Sequence, residues 1–232
     1  MKQIASLLTA LSLVLISCRE EDFGPLQNAQ RSFSEVGFDR LQVQDAMDVT
    51  VKRGSYFSVE AQGDSRNLND LLVYKTGGTL VVKYDRQEQR QYQTRITIVM
   101  PELKGIDLAG ATVGRVIDFT GVSRLDMTVS GASVLHAQVA ATELVANISG
   151  ASQVSLRGSG ENLQATLTGA SQLSGFDYPV ELASLVFSGA SMGKISSSQR
   201  LQVNASGASV ITYRGNPQLV LDVTGASVVR PE

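Results

Sequence analysis

The chain has 232 residues and a formal net charge of −2, a length suited to one repetitive domain or to one domain with a small cap. Aromatic residues make up only 6% and tryptophan is absent, which disfavours a core built around large rings and favours thin, layered β structure. No lysine/arginine run occurs, and this argues against nucleic acid as a partner, because that affinity comes mainly from neutralising phosphates.

Residues 1–17 read as a lipoprotein signal peptide. Lys2 supplies the positive start, and residues 4–16 form a leucine-rich stretch too short to span a bilayer. The stretch ends in Leu15-Ile16-Ser17-Cys18, which resembles the lipobox of bacterial lipoproteins, whose cysteine is lipidated and becomes the first mature residue. The competing reading is an ordinary secretory peptide with a cysteine near its cleavage site. Cys18 is therefore the expected lipidation site, with the membrane as a partner through the N-terminal lipid. The expected location is the bacterial cell envelope, as an outer-membrane lipoprotein facing either the periplasm or the outside. Cys18 is the sole cysteine, so no intrachain disulfide can form. Arg19-Glu20-Glu21-Asp22 resembles the surface-export tag of some Gram-negative lipoproteins, and reads equally well as solvated tether. Residues 18–31 are expected to be a flexible tether.

Residues 32–232 are expected to form one all-β domain. Within the irregular part, residues 32–101, Leu41, Val43, Met47, Val49 and Val51 alternate with polar residues as a half-buried strand does. Residues 56–61 repeat that pattern. Residues 71–74 and 80–84 flank Thr76-Gly77-Gly78 and predict a hairpin. Residues 85–93 are polar and predict a loop, residues 96–100 predict another strand, and Pro101 closes this part.

Residues 102–232 are periodic. Gly-Ala-Ser, or once Gly-Ala-Thr, recurs with its glycine at Gly110, Gly131, Gly150, Gly169, Gly189, Gly207 and Gly225, spaced 21, 19, 19, 20, 18 and 18 residues apart. A period of this size marks a solenoid whose coils bury their apolar faces only by stacking. Six, four and two residues before each glycine stand mainly apolar side chains, such as Leu125, Met127 and Val129, or Leu201, Val203 and Ala205. The residues between them are polar, so one face points inward and the other to solvent. The fold class expected is a single-stranded β-helix, or β-solenoid, of about seven coils, roughly 33 Å long at about 4.8 Å per layer. The glycine marks a corner with unusual φ. The alanine is expected to sit inside that corner, and the serine or threonine to bond local backbone. Leu41-x-Val43-x-Asp45 carries the same apolar spacing, which makes it a degenerate first coil with Asp45 at the glycine position.

The segments 38–41, 45–51 and 77–80, together with the serial Gly-Ala-Ser units, resemble the head GIN domain family, described as putative autotransporter adhesin and found in bacterial exported proteins and lipoproteins. The resemblance covers roughly residues 33–232. It implies a β-helix-like fold at the cell envelope and no enzyme activity, and it carries over no binding residue.

Candidate chemistry is sparse. His136 is the only histidine, and the serines that could complete a Ser-His-Asp triad stand at repeat positions that already explain them. Zinc sites need several His or Cys ligands, and no metal or cofactor is expected. Asp107 and Asp126 fall on outward positions of consecutive coils, two residues out of register; Asp222 lies several coils away. They are the weak basis of a glycan-cleaving alternative.

The outward positions form two candidate binding columns. Three residues before the glycine stand Thr128, Asn147, Thr166, Val186, Asn204 and Asp222. One before it stand Ser130, Ser149, Thr168, Ser188, Ser206 and Thr224. Such a strip could bind a glycan or a cell-surface protein through many weak hydrogen bonds, or could simply support the sheet. The sequence thus points to a lipid-anchored, non-enzymatic envelope protein acting as an adhesin or as a partner- or glycan-binding β-helix. The alternatives are a carbohydrate-active β-helix, lyase-like or glycan-binding, and an envelope scaffold without an external ligand.

Overall fold

The computed structural model describes residues 24–232; the signal-peptide, lipidation and acidic-tag readings lie outside the described residues. The chain is a β-solenoid whose seven glycine corners stand in one column. Five long strands run through two arms each: β9 (Val113–Val129), β10 (Val134–Ile148), β11 (Gln153–Leu167), β12 (Gln172–Phe187) and β13 (Met192–Ala205). They pair parallel with the next coil, as Leu135↔Val154 and Ile148↔Leu167 show. Inward and outward residues alternate along each arm, and the alternation slips where the chain bends. In β10, Leu135, Ala137, Val139 and Ala141 point in; after Thr142 and Glu143 the inward set becomes Leu144, Ala146 and Ile148. Two outward residues in a row are the signature of the second corner. The final layer consists of β15 (Gln218–Val223) on β13 and of β16 (Val228–Pro231) on β14 (Val210–Arg214).

The corners correct one expectation. The alanines after the glycines are exposed, whereas Thr112, Ser133, Ser152, Ser171, Ser191 and Ser209 are fully buried. The left-handed glycine turns the chain so that the third residue, not the second, faces inward. A buried hydroxyl needs a partner, and Thr112, Ser171, Ser191 and Ser209 find it in the carbonyl three residues back: Ser171 Oγ donates to Thr168 O at 2.7 Å and Ser191 Oγ to Ser188 O at 2.8 Å. Gly169 shows why the regular corners carry glycine. Its φ is +78°, and a Cβ there would lie 2.6 Å from the carbonyl oxygen of Gly150 in the coil below.

The degenerate-coil reading of residues 41–47 is correct. Strands β2 (Arg40–Val43) and β3 (Asp48–Arg53) form a layer against β8 (Gly105–Leu108) and β9, with Leu41↔Ile106 and Val43↔Leu108 in register. Asp45 takes the corner at φ 67°, and its carboxylate accepts the Tyr84 N–H at 3.0 Å. An aspartate tolerates this backbone better than most residues, and here its side chain bonds the neighbouring layer as well.

Spatial order departs from chain order at this end. The predicted hairpin forms as β5 (Leu71–Thr76) antiparallel to β6 (Thr79–Tyr84), and β7 (Arg95–Met100) matches the strand expected after the loop. Both β6 and β7 stack on the far side of the β2–β3 layer, which is therefore held between residues 79–100 and residues 105–117. Antiparallel strands close this end: β5 on β6, β4 (Ser58–Asp64) on β7, and β1 (Asn28–Phe33) on β4. Residues 28–31, expected in the tether, thus belong to an edge strand. Along one side the stack runs through eleven strands, a rod of about 48 Å.

Two buried aspartates hold the cap together. Asp64 caps the short helix α1 (Ser65–Asn69), accepting the Arg66 N–H at 2.9 Å and two bonds from the Arg66 guanidinium, which hold its carboxyl well below the usual range. Burial is the largest single influence on Asp70 and pushes it up, but hydrogen bonds from Arg86 and Arg90 outweigh it and leave the carboxyl below its ordinary value. Arg90 also stacks on the Tyr84 ring, 3.6 Å from its centre.

Candidate ligand-binding face

The arm that leads into each glycine carries the predicted columns on its outer surface. Register puts Asp107, Thr128, Asn147, Thr166, Val186, Asn204 and Asp222 side by side on successive layers, about 4.8 Å apart. All but the half-buried Asp107 are exposed. The second column is more enclosed: Ser130, Ser149, Ser188 and Ser206 are half-buried, while Thr168 and Thr224 are exposed. Its backbone groups are committed to the stack, since each N–H bonds the preceding layer, as Ser149 N–H does to Val129 O at 2.9 Å. Thr128, Asn147, Thr166, Asn204 and Asp222 are thus the more accessible set.

Sequence reasoning placed Asp126 outward but did not assemble the columns on the other flank. Asp126, Val145, Gln164, Ser184, Gln202 and Val220 form one, and Arg124, Glu143, Asn162, Leu182, Arg200 and Gln218 another. They follow from the same alternation, at five and seven residues before the glycine. Together with the Thr166 column they widen the strip into a face rich in amides. A shallow groove of about 620 Å³ runs over it, lined by Asn162, Gln164, Ser184, Arg200 and Gln202, with Leu182 exposed among them. Gln164 Nε2 donates to Glu143 Oε1 at 3.0 Å, and Arg124 pairs with the same carboxylate at 2.9 Å.

Asp107 and Asp126 differ sharply in environment. Burial pushes the Asp107 carboxyl up. Burial also acts most strongly on Asp126, but Arg40 at 2.8 Å and Arg124 at 2.9 Å overcome it and hold that carboxyl below its ordinary value. Both oxygens of Asp126 are engaged, one by each guanidinium. Asp107 neighbours Thr128 and Asp126 neighbours Gly105, so the two carboxylates are diagonal, as the sequence spacing predicts.

His136 lies on the other arm, exposed between Arg115 and Ser155. The adjacent serine is matched on the opposite side by a guanidinium rather than a carboxylate, and that guanidinium is paired with Asp48. No serine–histidine–acid series forms at this position. Among the described residues no group of three or more His, Cys, Asp or Glu side chains could hold a metal ion. No described helix is long and apolar enough to cross a membrane.

Comparison with known proteins agrees with this architecture. The crystal structure of a putative adhesin from Bacteroides fragilis superposes with a TM-score of 0.84 at 16% identity, covering 89% of this chain and 97% of that one. A putative adhesin from Parabacteroides distasonis gives 0.72 at 14% identity, covering 90% and 98%. A protein from the same organism described as a putative lipid binding protein gives 0.68 at 15% identity, covering 88% and 96%. At such identities the likeness is one of fold. No curated protein matches the chain. Residues 37–217 match the family model described as putative auto-transporter adhesin, head GIN domain, and the chain belongs to that family.

Proposed function

We propose that this protein is a non-catalytic binding module of the bacterial cell envelope, held to the outer membrane by a lipid on Cys18, whose amide- and hydroxyl-bearing face takes a glycan. The observation that carries this reading is the register of Thr128, Asn147, Thr166 and Asn204, interrupted only by Val186, beside a shallow groove lined by Gln164, Ser184 and Gln202, so that each of these layers offers a donor or acceptor on one face. Each such bond contributes only about 1 kcal/mol in water. A repeating ligand meeting several layers at once sums them, and the adhesin description of the family fits that mode of binding. A cell-surface protein presenting the same chemistry is the competing occupant.

The test is binding of purified protein to an array of bacterial and host glycans, with Asn147→Ala, Thr166→Val and Gln164→Ala compared against Ser174→Ala on the opposite arm. The three variants on the face should weaken binding at least fivefold without lowering the melting temperature, and the control should not. Equal effects from all four would remove the face from consideration. Attachment is tested by Cys18→Ser, which should move the protein out of the membrane fraction.

The glycan-cleaving reading draws on the opposed shifts of Asp107 and Asp126, the kind of pair that divides into acid and base. Two guanidiniums on Asp126 weigh against its acting as a base. Polysaccharides incubated with the protein, with and without calcium, should release no new ends. Cleavage abolished by Asp107→Asn would establish an enzyme instead.

A further inference from the structure

The two ends of the stack are finished differently. At the N-terminal end, antiparallel strands cover the last parallel layer, and the inward residues Val59 and Leu71 are 1% and 3% exposed. At the other end, β15 pairs only with β13 and β16 only with β14, so one edge of each strand has no ladder partner among the described residues. The residues of β15 that continue the core columns stand open: Leu219, Leu221 and Val223 are 41%, 45% and 38% exposed. Their counterparts one layer down, Leu201, Val203 and Ala205, are 0%, 1% and 0% exposed. An apolar layer rimmed by unpaired backbone is a template for another strand.

We infer that this end pairs with the same end of a second copy, β15 running antiparallel to β15 across a two-fold axis. Three observations favour a second copy over other occupants. First, the opposite end of this solenoid is closed by an antiparallel layer in which core residues face core residues, as Val59↔Ile98 and Val73↔Val82 do. A two-fold axis perpendicular to β15 offers that arrangement again on this arm, while Pro231 leaves β16 a poorer edge for pairing. Second, the sequence of β15 is self-complementary. Centred on Leu221, the pairing sets Leu221 against Leu221 of the second copy and Leu219 against Val223, all inward. Third, the charges agree along β15: Asp222 meets Val220 and Gln218 meets Thr224, so no like charges stand directly opposite on that strand.

The area sets the strength. Between the backbones of its two arms a coil end measures about 20 Å by about 10 Å from strand length and sheet spacing, so the pair buries roughly 400 Å², far below the ~1,200 Å² of stable interfaces. An interface of this size is a weak, transient one, and forms where copies are concentrated. Its two N-terminal caps lie about 100 Å apart at opposite ends of one rod, twice the length of the single stack. Copies held by their N-termini on facing surfaces would then meet end to end. That consequence, unlike the pairing itself, rests on the anchoring proposed above.

The experiment is sedimentation equilibrium of the purified protein from about 5 to about 500 μM, with small-angle scattering at the top of the range. Mass should rise towards twice the monomer while the longest dimension about doubles. Leu221→Lys and Leu221→Glu, each checked for native circular dichroism and melting temperature, should each dimerise at least tenfold more weakly. An equimolar mixture of the two should recover the dimer, because position 221 meets itself across the axis. A wild type that stays monomeric throughout, a dimer that broadens without lengthening, or single variants that dimerise unchanged would each overturn the inference. The first of these would leave the open layer to another protein or a further segment. Glycan binding by the Asn147, Thr166 and Gln164 variants is read separately, so either idea can fail alone.

Discussion

Replacing Gly169 by alanine isolates the physical reason for the repeat. Two effects combine there. An L side chain at φ +78° costs about 1–2 kcal/mol relative to glycine. The added Cβ would also lie 2.6 Å from Gly150 O, an oxygen that accepts the Ala170 N–H at 2.8 Å, and forcing atoms into a packed site costs a further ~1–3 kcal/mol. The sum is about 2–5 kcal/mol. Gly121 supplies the control, because its φ of +69° is equally left-handed while a Cβ there meets nothing within 4 Å. Gly121→Ala should therefore cost only about 1–2 kcal/mol. Solenoids open layer by layer, so native-state hydrogen exchange at the Ala170 amide is the direct readout, supported by urea unfolding. The steric part alone should speed exchange there by roughly 5- to 150-fold over the control, using 1.4 kcal/mol per factor of ten. If the two variants lost the same stability, close stacking of the corners would not be what demands glycine.

Ser152 and Ser171 occupy the same buried corner position, yet Ser152 Oγ has no partner while Ser171 Oγ donates to Thr168 O. Ser171→Ala should lose about 1 kcal/mol and Ser152→Ala should be neutral or stabilising by thermal melts, with the reverse order contradicting the corner geometry. Acid should act on the cap first. Asp64 and Asp70 both titrate below an unfolded aspartate, so the stability they contribute is present above about pH 4 and is lost as pH falls further through their folded values. Amides of β1 and β4 should lose exchange protection below pH 4 while those around Gly169 keep theirs; simultaneous loss would assign the acid sensitivity elsewhere.

The coils were legible because their information is local. Period, alternation and the glycine corner lie within some twenty residues, and even Asp45 could be aligned by its two preceding apolar positions. Three features were not legible, each for a different reason. Whether Ala or Ser fills the corner depends on how a left-handed residue rotates the next two, which composition does not encode. The placement of residues 79–100 beyond residues 40–53 is a matter of non-local pairing: β6 matches β2 as well as any neighbouring coil would. The flanking columns with Asn162, Gln164 and Gln202 follow the predicted alternation, but their use as one face becomes visible only once register sets Gln164 beside Ser184 and Glu143 beside Asn162.

The interleaved layer makes the molecule mechanically lopsided. Tension applied between the two ends of the chain would strip the last coil from the stack like a peeled tape, one ladder at a time. Each coil of about 19 residues would then pay out about 65 Å of slack. The β2–β3 layer cannot leave that way, because strands from later in the chain clamp it on both sides and must slide together. A rod built in this manner yields at its tip coil and its edge strand β1 and keeps its clamped layer.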